Sequence, residues 1–228
     1  VTDVAWHQLT TTYGSPSPNP DSDIDSGTPG FIVVAYGKMG GIELGYRSDL
    51  DLVFLHNALT SHQTDGPRQI DNSTFFMRLG QRIIHLLSTS TPSGIAYEID
   101  TRLRPSGSSG MLVSTLAAFE KYQQQDAWTW EHQALVRSRV VAGDRNLAAE
   151  FNKVREVVLR QSRDAQSLAT EVQKMREKMR KHLGHSTKDG KFSLKQGTGG
   201  IVDIEFMVQF TVLAWSHAHP LLSRWSDN

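Results

Sequence analysis

Residues 40–55 read GGIELGYRSDLDLVFL, in which a Gly-Gly pair is followed by an Asp-x-Asp and then by an apolar run. The apolar, β-prone residues after the second aspartate predict a buried strand over residues 49–56. Alternate residues of a strand point to the same face, so Asp49 and Asp51 would hold their carboxylates side by side, roughly 6–7 Å apart. Both faces of the strand beyond Asp51 are apolar, which indicates an interior position in a sheet.

Two neighbouring carboxylates point to a cation. They repel each other, and placing them beside a buried apolar segment is costly unless a positive charge compensates. Mg²⁺ prefers hard oxygen ligands and typically binds one or two carboxylates together with substrate phosphates. The pair Asp49 and Asp51 therefore indicates metal-dependent phosphoryl or nucleotidyl chemistry.

A further strand is predicted over residues 95–104, where Pro105 would end it. Four charged residues would share one face of this strand: Glu98, Asp100, Arg102 and Arg104. If the strand lies beside the first one, Asp100 becomes a third carboxylate, and three acids could hold two Mg²⁺ ions about 3.5–4 Å apart. Arg102 and Arg104 would then neutralise a triphosphate or a departing pyrophosphate. The alternative is a solvent-facing strip of acid–arginine pairs, which would contribute little to stability.

The glycine-rich segment before the Asp-x-Asp is predicted to be a turn at a phosphate. Gly40 and Gly41 would let the backbone approach a phosphate closely, with their amide N–H groups as ligands. Lys38 would add a positive charge, whereas Gly37 is interpreted as a plain turn glycine. Ser48 could bond a phosphate oxygen or simply begin the strand, and the sequence leaves both open. The spacing of a Walker-type phosphate loop is absent.

Three parts are predicted along the chain. Residues 1–30 would form an N-terminal helix and a flexible linker, because 14–30 is rich in Gly, Pro, Ser and Asp. Residues 31–113 would form an α+β catalytic domain, with a buried strand at 31–36 and an amphipathic helix at 72–88. Residues 114–228 would form a helical domain. Its predicted helices are 115–125, 127–139, 145–161, 165–183 and 200–218.

The composition narrows the classes of partner. Lys+Arg and Asp+Glu number 24 each, so the basic surplus usual in nucleic-acid enzymes is missing and no nucleic-acid partner is expected. No apolar run approaches the length of a membrane span, so no membrane contact is expected. Cysteine is absent, which excludes disulfide scaffolds and thiolate metal sites and is compatible with a cytoplasmic protein. A small nucleotide plus another acceptor is the expected substrate pair.

These features resemble the nucleotidyltransferase superfamily, with its glycine turn, Asp-x-Asp strand and third acid. More narrowly, residues 35–51, 97–107 and 127–137 resemble the glutamine synthetase adenylyltransferase family. The similarity runs over nearly the whole chain, and residues 14–30 match least.

The resemblance carries specific expectations. It implies a polymerase-β-like mixed sheet with flanking helices, followed by an all-helical bundle. It implies transfer of AMP from ATP to a tyrosine of glutamine synthetase with release of pyrophosphate, and Asp49, Asp51 and Asp100 as catalytic ligands of two Mg²⁺ ions. The resemblance also implies two such halves in a full-length enzyme, one transferring AMP and the other removing it by phosphorolysis with release of ADP. The motifs here are closer to the C-terminal, adenylylating half.

Other functions remain open from the residues. The chain holds one Asp-x-Asp centre, so half of an enzyme is expected, and regulation by the PII signalling protein would need further parts. The removing activity, a nucleotidyltransferase with a small-molecule or RNA acceptor, and a catalytically silent docking module are the alternatives. The identity of the acceptor and Mg²⁺-dependent binding of ATP distinguish them.

Overall fold

The computed structural model describes residues 1–17, 30–46, 48–92, 94–183 and 193–224. The chain divides into two compact units, one formed by residues 1–126 and 137–154, the other by 127–136 and 155–226. This division differs from the predicted boundary at residue 113, because later segments return to the first unit. Most of the predicted linker lies outside the described residues. Its first part is held in place, since Pro16 forms a β-bridge with Thr64.

Secondary structure alternates along the chain. The strands are β1 (Phe31–Ala35), β2 (Leu50–His56), β3 (Ser90–Thr91), β4 (Gly94–Ile95), β5 (Ile99–Asp100), β6 (Val113–Thr115) and β7 (Arg139–Gly143). The helices are α1 (Thr2–Tyr13), α2 (Gly37–Gly40), α3 (Asn72–Ser88), α4 (Leu116–Gln125), α5 (Thr129–Val136), α6 (Arg145–Leu159), α7 (Ala165–Leu183) and α8 (Ile201–Trp215). Within the described parts of the chain, no helix is both long and apolar enough to span a membrane.

The first unit is built on a mixed sheet with the order β5-β2-β1-β7, and β6 also pairs with β2. Strand β1 is antiparallel to β2 and β7, whereas β5 and β6 run parallel to β2. The predicted interior position of β2 is therefore confirmed. The sheet is mixed and flanked by helices, as the sequence predicts for this part of the chain.

Apolar packing against one face of the sheet fixes the strands. All five residues of β1 are buried, and β2 is buried except at Asp51. The ring of Phe31 stacks on Phe54 and on Phe76 of α3, with centroids 6.0 Å apart in both pairs. Burial of a phenylalanine side chain is worth about 1.5–3 kcal/mol, so this cluster holds α3 on the sheet.

The predicted strand over residues 95–104 is wrong. Residues 94–95 pair with β3 in a small hairpin, and β5 contains only Ile99 and Asp100. The strand ends there because the carboxylate of Asp100 accepts the backbone N–H of Arg102 at 2.8 Å, which closes a local turn. Arg102 and Arg104 therefore do not share a strand face with Asp100.

The segment after residue 115 contains a strand that the sequence analysis missed. Helix α5 ends at Val136, and residues 139–143 form β7, which pairs with β1. Two adjacent valines are too short a run to signal a strand beside a helical pattern. The other predicted helices after residue 115 coincide with α4, α6, α7 and α8 to within three residues.

Within the described residues, the second unit contains α5, α7, α8 and the end of α6. Helix α5 contacts both α7 and α8, and α7 contacts α8. The buried guanidinium of Arg155 donates to the carbonyls of Leu135, Val136 and Ser223 at 3.2, 2.6 and 2.7 Å. These bonds satisfy a buried charge and the C-terminal carbonyls of α5 together.

Candidate metal centre

Three carboxylates from two strands meet at one edge of the sheet. The ligand oxygens of Asp49, Asp51 and Asp100 lie within 4.8 Å of one another. Strand β5 is parallel to β2 with Asp51 opposite Asp100, so backbone pairing brings the third acid to the other two. The predicted juxtaposition is thus present. The start of the strand differs from the prediction: β2 begins at Leu50, and Asp49 is the exposed residue directly before it.

The cluster carries uncompensated negative charge at Asp51. Partial burial, together with the negative charges of Asp49 and Asp100, raises the pKa of Asp51 from 3.8 to about 6. The positive charges of Arg102 and Lys38 oppose this effect without cancelling it. Three hard oxygen ligands at this spacing suit a divalent cation such as Mg²⁺. The donor set therefore fits the predicted metal.

Asp100 is paired with Arg102 in an open arrangement. The Arg102 Nε donates to both carboxylate oxygens of Asp100 at 3.0 and 2.8 Å, and its terminal nitrogen forms an ion pair with Oδ2. Hydrogen bonds from the Arg102 side chain lower the pKa of Asp100. The Arg102 side chain is 77% exposed, so this pair contributes little to stability and opens to solvent.

Arg104 is hydrogen-bonded to the loop after β5. Its guanidinium donates to the carbonyls of Thr101, Ser108 and Gly110 at 2.8, 3.2 and 3.2 Å. These bonds tie the side chain to its own loop, and the contact of Arg104 with a phosphate stays a prediction. Its charge still contributes, after that of Arg102, to the lowered pKa of Asp100.

Gly40 and Gly41 lie against Arg137, Gly40 at its carbonyl oxygen and Gly41 at its side chain, and their contact with a phosphate stays a prediction. The predicted turn is the short helix α2, in which the N–H groups of Gly40 and Gly41 donate to the carbonyls of Tyr36 and Gly37, both at 3.0 Å. A Cβ on Gly40 would lie 1.9 Å from the carbonyl oxygen of Arg137. The absence of a side chain at Gly40 thus lets the segment before β7 pack closely against α2. The amides of both glycines already donate hydrogen bonds within α2.

Gly37 touches the carboxylate cluster, which the sequence analysis missed. Its φ is +54°, and an added Cβ would lie 2.5 Å from Oδ2 of Asp51. This contact follows from sheet pairing, since the N–H of Tyr36 donates to the carbonyl of Asp51 at 2.9 Å. Glycine is favoured here because the left-handed conformation and the adjacent carboxylate both disfavour a side chain.

Lys38 and Ser48 lie beside this contact. The Lys38 Nζ is 3.4 Å from the Ser48 hydroxyl, which also accepts the N–H of Gly45 at 3.3 Å. Ser48 is buried, so its hydroxyl closes the turn that leads into β2. Contacts of Lys38 and Ser48 with a nucleotide stay predictions.

Arg139 is a second residue that the sequence analysis missed. It is the first residue of β7, and its guanidinium donates to the carbonyls of Gly40 and Met39 at 3.2 and 3.0 Å. A cation at the last carbonyls of a helix stabilises that end. Because α2 has only four residues, contacts of this kind hold it in place, and with it Gly37 beside Asp51.

Comparison with known families identifies the family that contains this metal-centre sequence. A family model described as glutamate-ammonia ligase adenylyltransferase matches residues 1–154, more than half of the chain. The chain belongs to this family. The region that matches the adenylyltransferase family contains the three aspartates of the candidate metal centre, and it also contains α2 and β7.

Curated relatives carry the name bifunctional glutamine synthetase adenylyltransferase/adenylyl-removing enzyme. The chain is 55% identical to that of Pseudomonas putida over 236 residues, 55% to that of Vibrio parahaemolyticus over 228, and 56% to that of Psychromonas ingrahamii over 229. These alignments cover 99–100% of the chain but 24% of each relative. The chain therefore spans about a quarter of the length of these adenylyltransferases.

Proposed function

We propose that this chain catalyses metal-dependent transfer of AMP from ATP to a tyrosine hydroxyl of glutamine synthetase, with release of pyrophosphate. The observation that carries the proposal is the cluster of Asp49, Asp51 and Asp100, whose oxygens lie within 4.8 Å of one another. Membership of the adenylyltransferase family supports the choice of nucleotide and acceptor.

The fold proposed for the first unit is that of a polymerase-β-like nucleotidyltransferase. Three features support it: a mixed sheet, an Asp-x-Asp at the start of β2, and a third acid on the parallel strand β5. The short helix α2, between β1 and β2, corresponds to the glycine turn of that superfamily.

The proposed reaction exchanges one phosphorus–oxygen bond for another. The tyrosine oxygen attacks the α-phosphorus, and the bond from this phosphorus to the oxygen that bridges it to the β-phosphorus breaks, so that pyrophosphate leaves. When bound, Mg²⁺ would polarise the phosphate and stabilise the developing charge. Asp49 and Asp51 would hold both ions, and Asp100 would complete the site of one.

The protein's own groups have separate tasks in this scheme. A tyrosine hydroxyl titrates near pH 10, so a carboxylate of the cluster is proposed to receive its proton as the bond forms. Gly37 leaves room for the carboxylate of Asp51, since an added Cβ would lie 2.5 Å from its Oδ2. Arg102 is exposed and bound only to Asp100 among the described contacts, so it is the arginine proposed to turn toward the leaving pyrophosphate. Arg104 is proposed to support the loop.

Removal of AMP is the second candidate, because the relatives are named for both activities. In that direction inorganic phosphate would attack the tyrosine-bound AMP and ADP would leave. The motifs resemble the adenylylating half, so we propose transfer as the main reaction. Control by the PII signalling protein is proposed to require other parts of the longer relatives.

One assay tests the proposal and its alternative together. The chain is incubated with ATP, Mg²⁺ and unmodified glutamine synthetase, and the product is weighed by mass spectrometry. We expect one AMP per modified tyrosine, lost in the Asp51→Asn and Asp100→Asn variants and retained in Glu98→Gln. Glu98 is an exposed acid next to β5 and outside the cluster.

Two outcomes would contradict this assignment. Normal transfer by both aspartate variants would exclude the carboxylate cluster as the catalytic centre. Release of ADP from modified glutamine synthetase on addition of phosphate, without any transfer from ATP, would assign the removing reaction to this chain.

A further inference from the structure

Helices α7 and α8 of the second unit border a cavity of about 460 Å³. Its apolar wall includes Val172 of α7 and the rings of Phe206 and Phe210 of α8. Small-molecule sites typically measure about 300–1,000 Å³ and combine such a wall with a few polar groups. None of the three metal-centre aspartates lies in this unit.

One ion pair in the cavity wall is already satisfied. The buried guanidinium of Arg176 lies 2.5 Å from Oδ1 of Asp203 and donates to the side chain and carbonyl of Gln196 at 3.2 and 2.9 Å. Asp203 also accepts the N–H of Gly199 at 2.7 Å, and this bond with those from Arg176 lowers its pKa. These two charges therefore compensate each other and leave no demand for a ligand.

Arg180 has donors left over in the same wall. Its Nε is buried without a hydrogen-bond partner, and its nearest contacts to Asp203 are long, at 3.5 Å. The carboxylate of Asp203 is closer to Arg176, so Arg180 carries a positive charge that is only weakly paired. The Arg180 side chain is 41% exposed, so an anion in the cavity would pair with its terminal nitrogens, and such a charge-assisted hydrogen bond is stronger than one between neutral groups.

We propose that this cavity binds an organic anion, with its carboxylate or phosphate on Arg180 and its apolar body against Phe206 and Phe210. The aromatic wall favours a planar or branched apolar group. Arg180, with the exposed carboxylate of Glu177 in the same lining, favours a ligand with a single negative centre. Arg176 and Asp203 also line the cavity, but they are hydrogen-bonded to each other and need no ligand. The proposal does not depend on the reaction assigned to the metal centre.

Probe molecules of defined chemistry test this site in the intact chain. Methyl-labelled methionine is observed by NMR, because Met207 lines the cavity and Met39 of the first unit serves as an internal reference. The probes are 3-phenylpropionate, phenyl phosphate, the neutral 3-phenyl-1-propanol, and inorganic phosphate. We expect the two aryl anions to shift Met207 and not Met39, and the neutral alcohol to bind about tenfold more weakly because it lacks the charge-assisted hydrogen bond.

Variants decide whether Arg180 is responsible. Arg180→Gln should weaken the aryl anions about tenfold, to the level of the alcohol. The matched control is Lys178→Gln, which removes the same charge from an exposed position of α7 outside the cavity lining. Ala169→Leu, which fills the cavity from its wall, should weaken acid and alcohol alike. It also serves as the test if the arginine variant does not fold.

Several results would overturn the inference. Equal binding of acid and alcohol would remove the role of Arg180, and equal binding of inorganic phosphate would remove the role of the apolar wall. No shift of Met207 with any probe, or unchanged affinity in both Arg180→Gln and Ala169→Leu, would show that the cavity is not a ligand site.

Discussion

Replacing Asp51 by asparagine should stabilise the metal-free protein while it abolishes AMP transfer. Burial and the neighbouring carboxylates raise the pKa of Asp51 from 3.8 to about 6, so ionised Asp51 is less stable in the folded chain than in the unfolded one. At about 1.4 kcal/mol per pH unit this shift corresponds to at most about 3 kcal/mol. Because Asp51 is only half-buried, solvent screening reduces the expected gain to about 1–1.5 kcal/mol.

The sign of this stability change follows from the linkage between proton binding and folding. A raised folded-state pKa means that the cost of ionised Asp51 appears as the pH rises above 3.8 and is complete above about pH 6. Urea unfolding in EDTA at about pH 8 should therefore give a higher midpoint for Asp51→Asn than for the wild type. Excess Mg²⁺ should then raise the midpoint of the wild type and leave the variant unchanged, because the cation is proposed to bind only the intact cluster.

The control for this comparison is Glu98→Gln, which removes one negative charge outside the cluster and should change neither midpoint. A lower midpoint for Asp51→Asn in EDTA would show that Asp51 makes favourable contacts when ionised, and would refute the electrostatic reasoning. Equal stabilisation of wild type and variant by Mg²⁺ would place the cation elsewhere.

Three further predictions address the surroundings of the cluster and the core. Gly37→Ala should lower the unfolding free energy by about 1–3 kcal/mol and reduce the proposed AMP transfer, because its Cβ would lie 2.5 Å from Oδ2 of Asp51. The control is Gly199→Ala, which is also at positive φ but has open space around it. In the same urea titration it should show only the cost of the backbone strain. Arg139→Gln should reduce transfer about tenfold with a loss of only about 1 kcal/mol in stability, measured by steady-state kinetics and urea unfolding, since the hydrogen bonds to the end of α2 are lost. Burial lowers the pKa of His56 from 6.5 to about 4, so the unfolding free energy should fall by about 3 kcal/mol as the pH drops from 6.5 to about 4. His56→Asn should reduce this pH dependence in urea unfolding. An unchanged pH dependence would show that His56 is not its cause.

Prediction from sequence succeeded where the signal is local. The apolar run after Asp51 marks β2, and helical periodicity marks α3, α6 and α7 because one face of each helix is apolar over several turns. It failed at residues 95–104, where alternating polar residues resemble a strand but the Asp100 carboxylate captures the amide of Arg102 and ends β5. It also failed at β7, whose strand conformation depends on pairing with β1.

The amino-acid sequence by itself determined the Asp49–Asp51 pair, the buried strand that carries it and the aspartate that completes the cluster, because residue type and spacing of two suffice for these inferences. Only the tertiary structure decided that Asp100 stands opposite Asp51, that Gly37 touches this carboxylate, and that Arg139 holds α2. These contacts join residues up to about a hundred positions apart, and backbone pairing between strands, which no local pattern encodes, brings them together.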